Sequence, residues 1–258
     1  ANLLEEEIIK QDPETVLAFI LEPIGGASTG ALVPPNSYFK RINEICKKHD
    51  ILIITDEVMT GAGRTGKFLA GEHWNLEPDI IAMAKGFAAG YAPLGVVAAK
   101  NTIVNEINNS GGFLHGHTYA GNPLACSAGL AVLKEILSKN LIENAHIQGI
   151  TLKEKLNELK NEFSFIGDVR GKGLLMAFEL VSNKETMEPL PTSMNADTLL
   201  VEEAYKKGLI IYSRKTRGGK IGDHFMICPP LVINKKQIDE ICLILRECLK
   251  NIQSKLNL

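Results

Sequence analysis

The first half of the chain alternates short, unbroken apolar runs with segments whose apolar residues recur at helical spacing. "TVLAFILEP" (15–23) is a continuous apolar run of strand length, stopped by Pro23. In "SYFKRINEICKKHD" (37–50), Tyr38, Ile42, Ile45 and Cys46 recur at helical spacing. "ILIITDEV" (51–58) and "PLGVVAAK" (93–100) are further apolar strands, whereas "PDIIAMAKG" (78–86) opens with a helix-compatible proline yet is short and β-branched, so it fits either element. "NPLACSAGLAVLKEIL" (122–137) predicts a strong helix, with Asn122 as N-cap and Pro123 at the first helical position. Strands that lack polar alternation need cover on both faces. The pattern therefore predicts a mainly parallel sheet between helices, an α/β domain.

Beyond about residue 140 the texture changes. "TLKEKLNELKNEF" reads as a charged amphipathic helix, and "FIGDVRGKGLLMAFELV" holds two strand-like runs around Gly171 and Gly173. "ADTLLVEEAYKKG" is helical, "LIIYS" and "HFMICPPL" are strands, and "KKQIDEICLILRECLKNIQSKL" is a long terminal helix. That mixture suits a smaller α+β domain. The expected division is 1–138 for the α/β part and 139–258 for the smaller domain, with "SNKETMEPLPTSMN" (182–195) as the mobile loop.

Composition narrows the function. A chain of 258 residues can build one large domain or two smaller ones. Its net charge of −2 gives no electrostatic argument for nucleic acid or an anionic membrane, and no apolar run approaches the roughly 20 residues of a membrane helix. Cys46, Cys126, Cys228, Cys242 and Cys248 are scattered, without the spacing of a zinc site. Such thiols suit core packing in a reducing compartment, so a cytoplasmic location is expected. The chain opens at Ala1 on a helix that leads directly into a strand, and is expected to be a fragment or a processed chain.

"ILIITDEVMTGAGRTGKF" (51–68) fits two phosphate-binding patterns at once. Gly61, Gly63 and Gly66 spell G-x-G-x-x-G, but a dinucleotide fingerprint needs its first glycine at the strand-to-helix turn, and five residues from Asp56 to Thr60 intervene. Gly61, Gly66 and Lys67 spell most of a Walker loop, but Phe68 stands where a hydroxyl must hold magnesium. The carboxylates say more. In open α/β sheets ligands bind outside the carboxyl ends of the strands. "FILEP" ends with Glu22, and "IITDEV" ends with Asp56 and Glu57. A lone Asp is ordinarily a cap or salt-bridge partner. Here it is followed by Lys85 in "AMAKGFAAGYAPLG", among small residues that let something bulky approach the backbone. Apolar neighbours would desolvate the lysine and free its amine as a nucleophile. A strand-end Asp, such a Lys and a downstream phosphate cup are the parts that pyridoxal phosphate requires.

"ILIITDEVMTGAGRTGKF", "PDIIAMAKGFAAGYAPLG" and "HGHTYAGNPLACSAGLAVL" resemble the central blocks of class III aminotransferases, pyridoxal-phosphate enzymes of fold type I. "FILEPIGGASTGALVPPNSYFKRINEIC" and "HFMICPPLVI" resemble flanking blocks, so the likeness runs through nearly the whole chain. It implies that residues 1–138 are the C-terminal part of the large cofactor-binding domain and 139–258 the small α+β domain. The same resemblance assigns roles. Lys85 would carry the cofactor as a Schiff base and shuttle a proton, and Asp56 would bond the pyridine nitrogen. Val58 would pack on the ring, and Thr118, with His117 beside it, would reach the cofactor phosphate of a neighbouring subunit in a homodimer. The expected reaction moves an amino group from an amine or (ω-)amino acid to an oxo-acid such as pyruvate. The rivals are an aminomutase or decarboxylase on the same fold, and a non-catalytic truncated fragment.

Departures from the family bear on the substrate. Met59 stands where many ω-amino-acid members have Gln, and Met226 where they have a carboxylate-binding Arg. "SRKTRGGKIGDHF" offers Arg214 and Arg217 instead, and Arg217 is the candidate, since a guanidinium suits a carboxylate. Glu22 resembles a family glutamate near the substrate side; pairing with Arg64 is its alternative. The family's N-terminal portion, with a Gly-Ser phosphate loop and a ring-stacking aromatic residue, lies outside these residues.

Overall fold

The computed structural model describes residues 1–216 and 219–258, which cluster into two units. The first comprises Ala1–Pro23, Pro34–Ala62 and Lys67–Lys139. It runs through α1 (Asn2–Lys10), β1 (Ala18–Leu21), α2 (Tyr38–Lys48), β2 (Leu52–Asp56), β3 (Ile80–Met83), β4 (Val96–Ala99), α3 (Asn101–Asn109) and α4 (Pro123–Ser138). The strands lie in the order β1-β2-β3-β4; the first three are parallel and β4 is antiparallel to β3. The ambiguous 78–86 segment is thus a strand, and the sheet is mainly parallel. Asn122 caps α4 as its sequence suggests, its side chain accepting from the N–H groups of Leu124 (3.0 Å) and Ala125 (3.1 Å).

One face of this sheet is covered. Helix α2 turns Phe39, Ile42, Ile45 and Cys46 inward, and they pack with Ile8, Ile51, Ile53 and Leu76, with Phe19 and Leu21 against them. The opposite face departs from the expectation of cover on both sides. The register Ile20↔Ile54↔Ile80 and Asp56↔Ala82↔Val97 puts these side chains on one surface, and there Ile20 is 62% and Val97 72% exposed. Unbroken apolar strands state that burial is needed on both faces; they do not state that residues 1–139 provide it.

The second unit comprises Asn140–Leu258 together with two loops from earlier in the chain, Ile24–Val33 and Gly63–Gly66. Its elements are α5 (Leu141–Glu162), β5 (Ile166–Lys172), β6 (Leu175–Asn183), β7 (Glu188–Pro189), α6 (Ala196–Lys206), β8 (Tyr212–Lys215), β9 (Asp223–Ile227) and α7 (Lys235–Leu256). The sheet is antiparallel in the order β5-β6-β9-β8, with β7 pairing β6, so part of the 182–195 segment expected to be mobile is a strand. Leu152, Leu156 and Leu159 of α5 and Ile238, Cys242, Leu245, Leu249 and Ile252 of α7 follow helical spacing into a core shared with Met176, Phe178 and Phe225. Phe178 and Phe225, cross-strand partners, stack with ring centroids 5.1 Å apart. Asn234 and Gln237 form a reciprocal capping box at the start of α7. All five cysteines are free; Cys46, Cys242 and Cys248 are buried, while Cys126 and Cys228 are exposed. Among the described residues no helix is long and apolar enough to cross a membrane.

Candidate active site at the strand ends

Glu22 follows β1, Asp56 is the last residue of β2 and Lys85 lies two residues beyond β3, at the carboxyl ends of three neighbouring parallel strands. Leu21 pairs with Thr55 and Asp56 with Ala82, so Glu22 and Asp56 leave the sheet at one level and Lys85 three residues beyond it. Neighbouring strands are about 4.8 Å apart, which brings the three positions to one edge of one sheet. Sequence reading finds these positions because each ends an apolar run. Their adjacency comes from strand order alone.

The carboxylates of Asp56 and Glu57 are divided by the pleat. Asp56 is half-buried on the open face, and its Oδ1 accepts the Val58 N–H at 3.0 Å. Glu57 points the other way and is 1% exposed. It accepts from the Thr60 hydroxyl, the Ala70 N–H (3.0 Å) and the Gly71 N–H (3.0 Å). Burial pushes its carboxyl pKa up, and those three hydrogen bonds act against the rise. In the sequence Glu57 stands beside Asp56 as a second strand-end acid; the period-two alternation is the signal that separates them. The strand read over 51–58 is shorter than expected. The strand ends at Asp56, so Val58 lies in the following turn, not on a continued strand face.

Lys85 opens a short 3-10 turn (Lys85–Phe87) with φ 45°, and its side chain is exposed. The small neighbours are as read, but they leave the lysine open to solvent because none is large enough to cover it. A Cβ on Gly86 would meet only Ala62, at 3.8 Å, so the backbone beside the amine is open to a planar ligand. His117 and Thr118 are exposed in the stretch before α4. Asn122 caps that helix, which leaves the Thr118 hydroxyl outside the cap.

The substrate-side candidates fare differently. Glu22 is half-buried just beyond β1. Arg217 lies outside the described residues. Met226 is 4% exposed within β9, and Arg214 is an exposed β8 residue opposite His224. Arg64 donates to the carbonyls of Leu174 and Pro229, and burial lowers its pKa.

Two polar residues of the second unit escaped sequence reading. Arg170 donates to the carbonyls of Gly30 (Nε, 2.7 Å) and Thr29 (Nη2, 3.1 Å) and pairs with Glu179 (2.7 Å) and Asp168 (3.1 Å). His224 is fully buried with Nε2 2.8 Å from the Ala27 carbonyl, which can only accept, so Nε2 carries the proton. Burial also lowers the His224 pKa. Both residues clamp the loop that follows Glu22.

Comparison with known proteins gives the family. The family model described as "Aminotransferase class-III" matches residues 2–249, and the chain belongs to that family. Pyridoxal phosphate is the cofactor of that family. The chain is 39% identical over 259 residues to an uncharacterized aminotransferase, YodT, of Bacillus subtilis (strain 168), covering 99% of this chain and 58% of the relative. It is 38% identical to a putrescine–pyruvate aminotransferase of Pseudomonas aeruginosa, covering 96% of this chain and 53% of that protein. Among solved structures, a transaminase from the marine bacterium Virgibacillus superposes with TM-score 0.93 at 36% identity, over 98% of this chain and 57% of its own. A PLP-bound amine transaminase from an uncultivated Pseudomonas species gives TM-score 0.90 at 37% identity, over 97% of this chain and 56% of its own. The fold is therefore that of fold type I transferases, and the chain spans just over half the length of the relatives it matches.

Proposed function

We propose that this chain carries the lysine and the ring-side carboxylate of a pyridoxal-phosphate transaminase, which moves an amino group from an amine or (ω-)amino acid to an oxo-acid such as pyruvate. The observation that carries the reading is the alignment of Glu22, Asp56 and Lys85 at the carboxyl ends of adjacent parallel strands in a class III chain. The residues fit the cofactor chemically: an exposed amine for its aldehyde, an acceptor carboxylate for its ring nitrogen, and unobstructed backbone at Gly86. When bound, the cofactor supplies an electron sink for the carbanion formed at the substrate.

Each residue has a task in this reading. The Lys85 amine would hold the cofactor and, when free, would move the proton between the substrate carbon and the cofactor. Asp56, with Oδ1 accepting the Val58 N–H, would hold the proton on the ring nitrogen. Val58 packs against the ring. His117 and Thr118 serve the phosphate side of a second subunit, so the assembly is a homodimer with shared sites. Glu22 and Arg217 face the substrate. Residues 1–138 act as the C-terminal part of the large domain and 139–258 as the small domain, in the cytoplasm. The putrescine–pyruvate relative supports the amine and oxo-acid classes.

The test is a visible spectrum of the purified chain with added pyridoxal phosphate beside Lys85→Ala, each then treated with borohydride and mapped by peptide mass. The expected result is a band in the wild type, absent in the variant, and label fixed on Lys85. Label on another lysine, at equal yield in both proteins, would refute the assignment.

A further inference from the structure

The turn after β2 is held at several points, and among the described residues all but one of its anchors belong to Glu57. Its N–H donates to the Ala82 carbonyl at 2.8 Å, extending the β2–β3 ladder by one residue. Its carbonyl accepts the Gly61 N–H, also at 2.8 Å, which closes the turn. Its carboxylate receives the Thr60 hydroxyl and the N–H groups of Ala70 and Gly71. The remaining anchor is the bond from the Val58 N–H to Asp56. Asp56 therefore takes its side-chain orientation from a backbone N–H inside the turn that Glu57 fixes.

Glu57 itself faces away from Asp56 and is fully covered, so it meets no ligand on the open face. Three donors converge on it, and a carboxylate can only accept. An amide in its place would turn an NH2 group toward one of those donors and lose that contact. A carboxylate buried at this site, with no cation bonded to it among the described residues, is unfavourable unless its hydrogen bonds are all made. The arrangement makes them with one hydroxyl and two backbone amides.

We propose that Glu57 is the positioning residue for Asp56: by locking the turn 57–61 to the Ala70–Gly71 backbone it holds the Asp56 carboxylate where a ring nitrogen can meet it. The positioning of Asp56 is a property of the chain alone; its use toward a cofactor rests on the function proposed above.

Two measurements separate these parts. In the chain without cofactor, amide hydrogen exchange is compared at Val58, Ala70, Gly71 and the β1–β2 ladder for wild type, Glu57→Gln, Thr60→Val and the packing control Ile42→Val. Glu57→Gln is expected to speed exchange at least tenfold at Val58, Ala70 and Gly71, with the ladder changed no more than two- to threefold. Thr60→Val, which removes one of the three donors, is expected to give about a threefold rise at Val58. Ile42→Val is expected to leave the ratio of Val58 to the ladder unchanged. Faster exchange at Ala70 and Gly71 with Val58 at its wild-type rate would overturn the proposal, as would an unchanged Val58 in Thr60→Val should Glu57→Gln not fold. With pyridoxal phosphate added, the absorption maximum of Glu57→Gln is expected to move toward that of Asp56→Asn. A maximum identical to wild type would overturn the role toward the cofactor. If no protein takes up the cofactor, the proposed function and that role fall together, while the exchange data still decide whether Glu57 positions Asp56.

Discussion

Gly30→Ala isolates the clamp on the loop that follows Glu22. Gly30 has φ +65°, and a Cβ there would lie 2.6 Å from two atoms of the His224 ring and 2.9 Å from Nη2 of Arg170. The left-handed conformation by itself disfavours alanine by about 1 kcal/mol. The contact adds a larger effect. The ring and the guanidinium are held by the Ala27, Thr29 and Gly30 carbonyls and by Glu179, so both must leave those partners to admit a methyl group. Breaking a buried hydrogen bond of this kind costs about 1–3 kcal/mol. The total expected for Gly30→Ala is about 2–4 kcal/mol. Gly208 provides the comparison within the same unit: its φ is +81°, but nothing lies within 4 Å of its would-be Cβ. Gly208→Ala should therefore lose only about 1 kcal/mol. Native-state hydrogen exchange on the β6–β9 ladder reads both losses in the second unit. Equal losses in the two variants would refute the clamp, because only the shared backbone term would then be acting.

Other outcomes follow from the geometry. Asn234→Ala removes the side-chain acceptor for the Gln237 N–H in the capping box that starts α7, while the backbone N–H of residue 234 can still donate to Gln237, and should destabilise the second unit by about 1 kcal/mol in a urea titration, with an unchanged m-value. Glu203, bonded by Lys255 (2.6 Å) and Asn251 (3.2 Å), has its pKa lowered from 4.5 to about 2. A lowered folded-state pKa gives stability that is present above about 4.5 and lost as pH falls toward about 2. Glu203→Gln should accordingly flatten the decline of melting temperature across that window, and a parallel decline in both proteins would contradict it.

Element types and the candidate site positions were legible in the residues. Apolar runs and helical spacing marked β1, β2, β4, α2 and α4; Asn122 and Pro123 marked where α4 begins. Glu22, Asp56 and Lys85 could be singled out because each follows an apolar run, and their chemistry is that of a family whose motifs extend along the chain. These signals are local: they depend on residue type and on spacing within about 20 positions.

Tertiary structure decided what local signals do not encode. Strand order set Glu22, Asp56 and Lys85 at one sheet edge, and the pleat sent Glu57 into the interior while Asp56 stayed on the open face. Register assembled Ile20, Ile54, Ile80 and Val97 into a partly exposed apolar surface, although each strand read as needing cover on both sides. The loops Ile24–Val33 and Gly63–Gly66 joined the second unit through Arg170, His224 and Arg64, whose partners are mainly backbone carbonyls. A carbonyl is the same in every residue, so no pattern of side chains announces that an arginine or a histidine far along the chain will bind it.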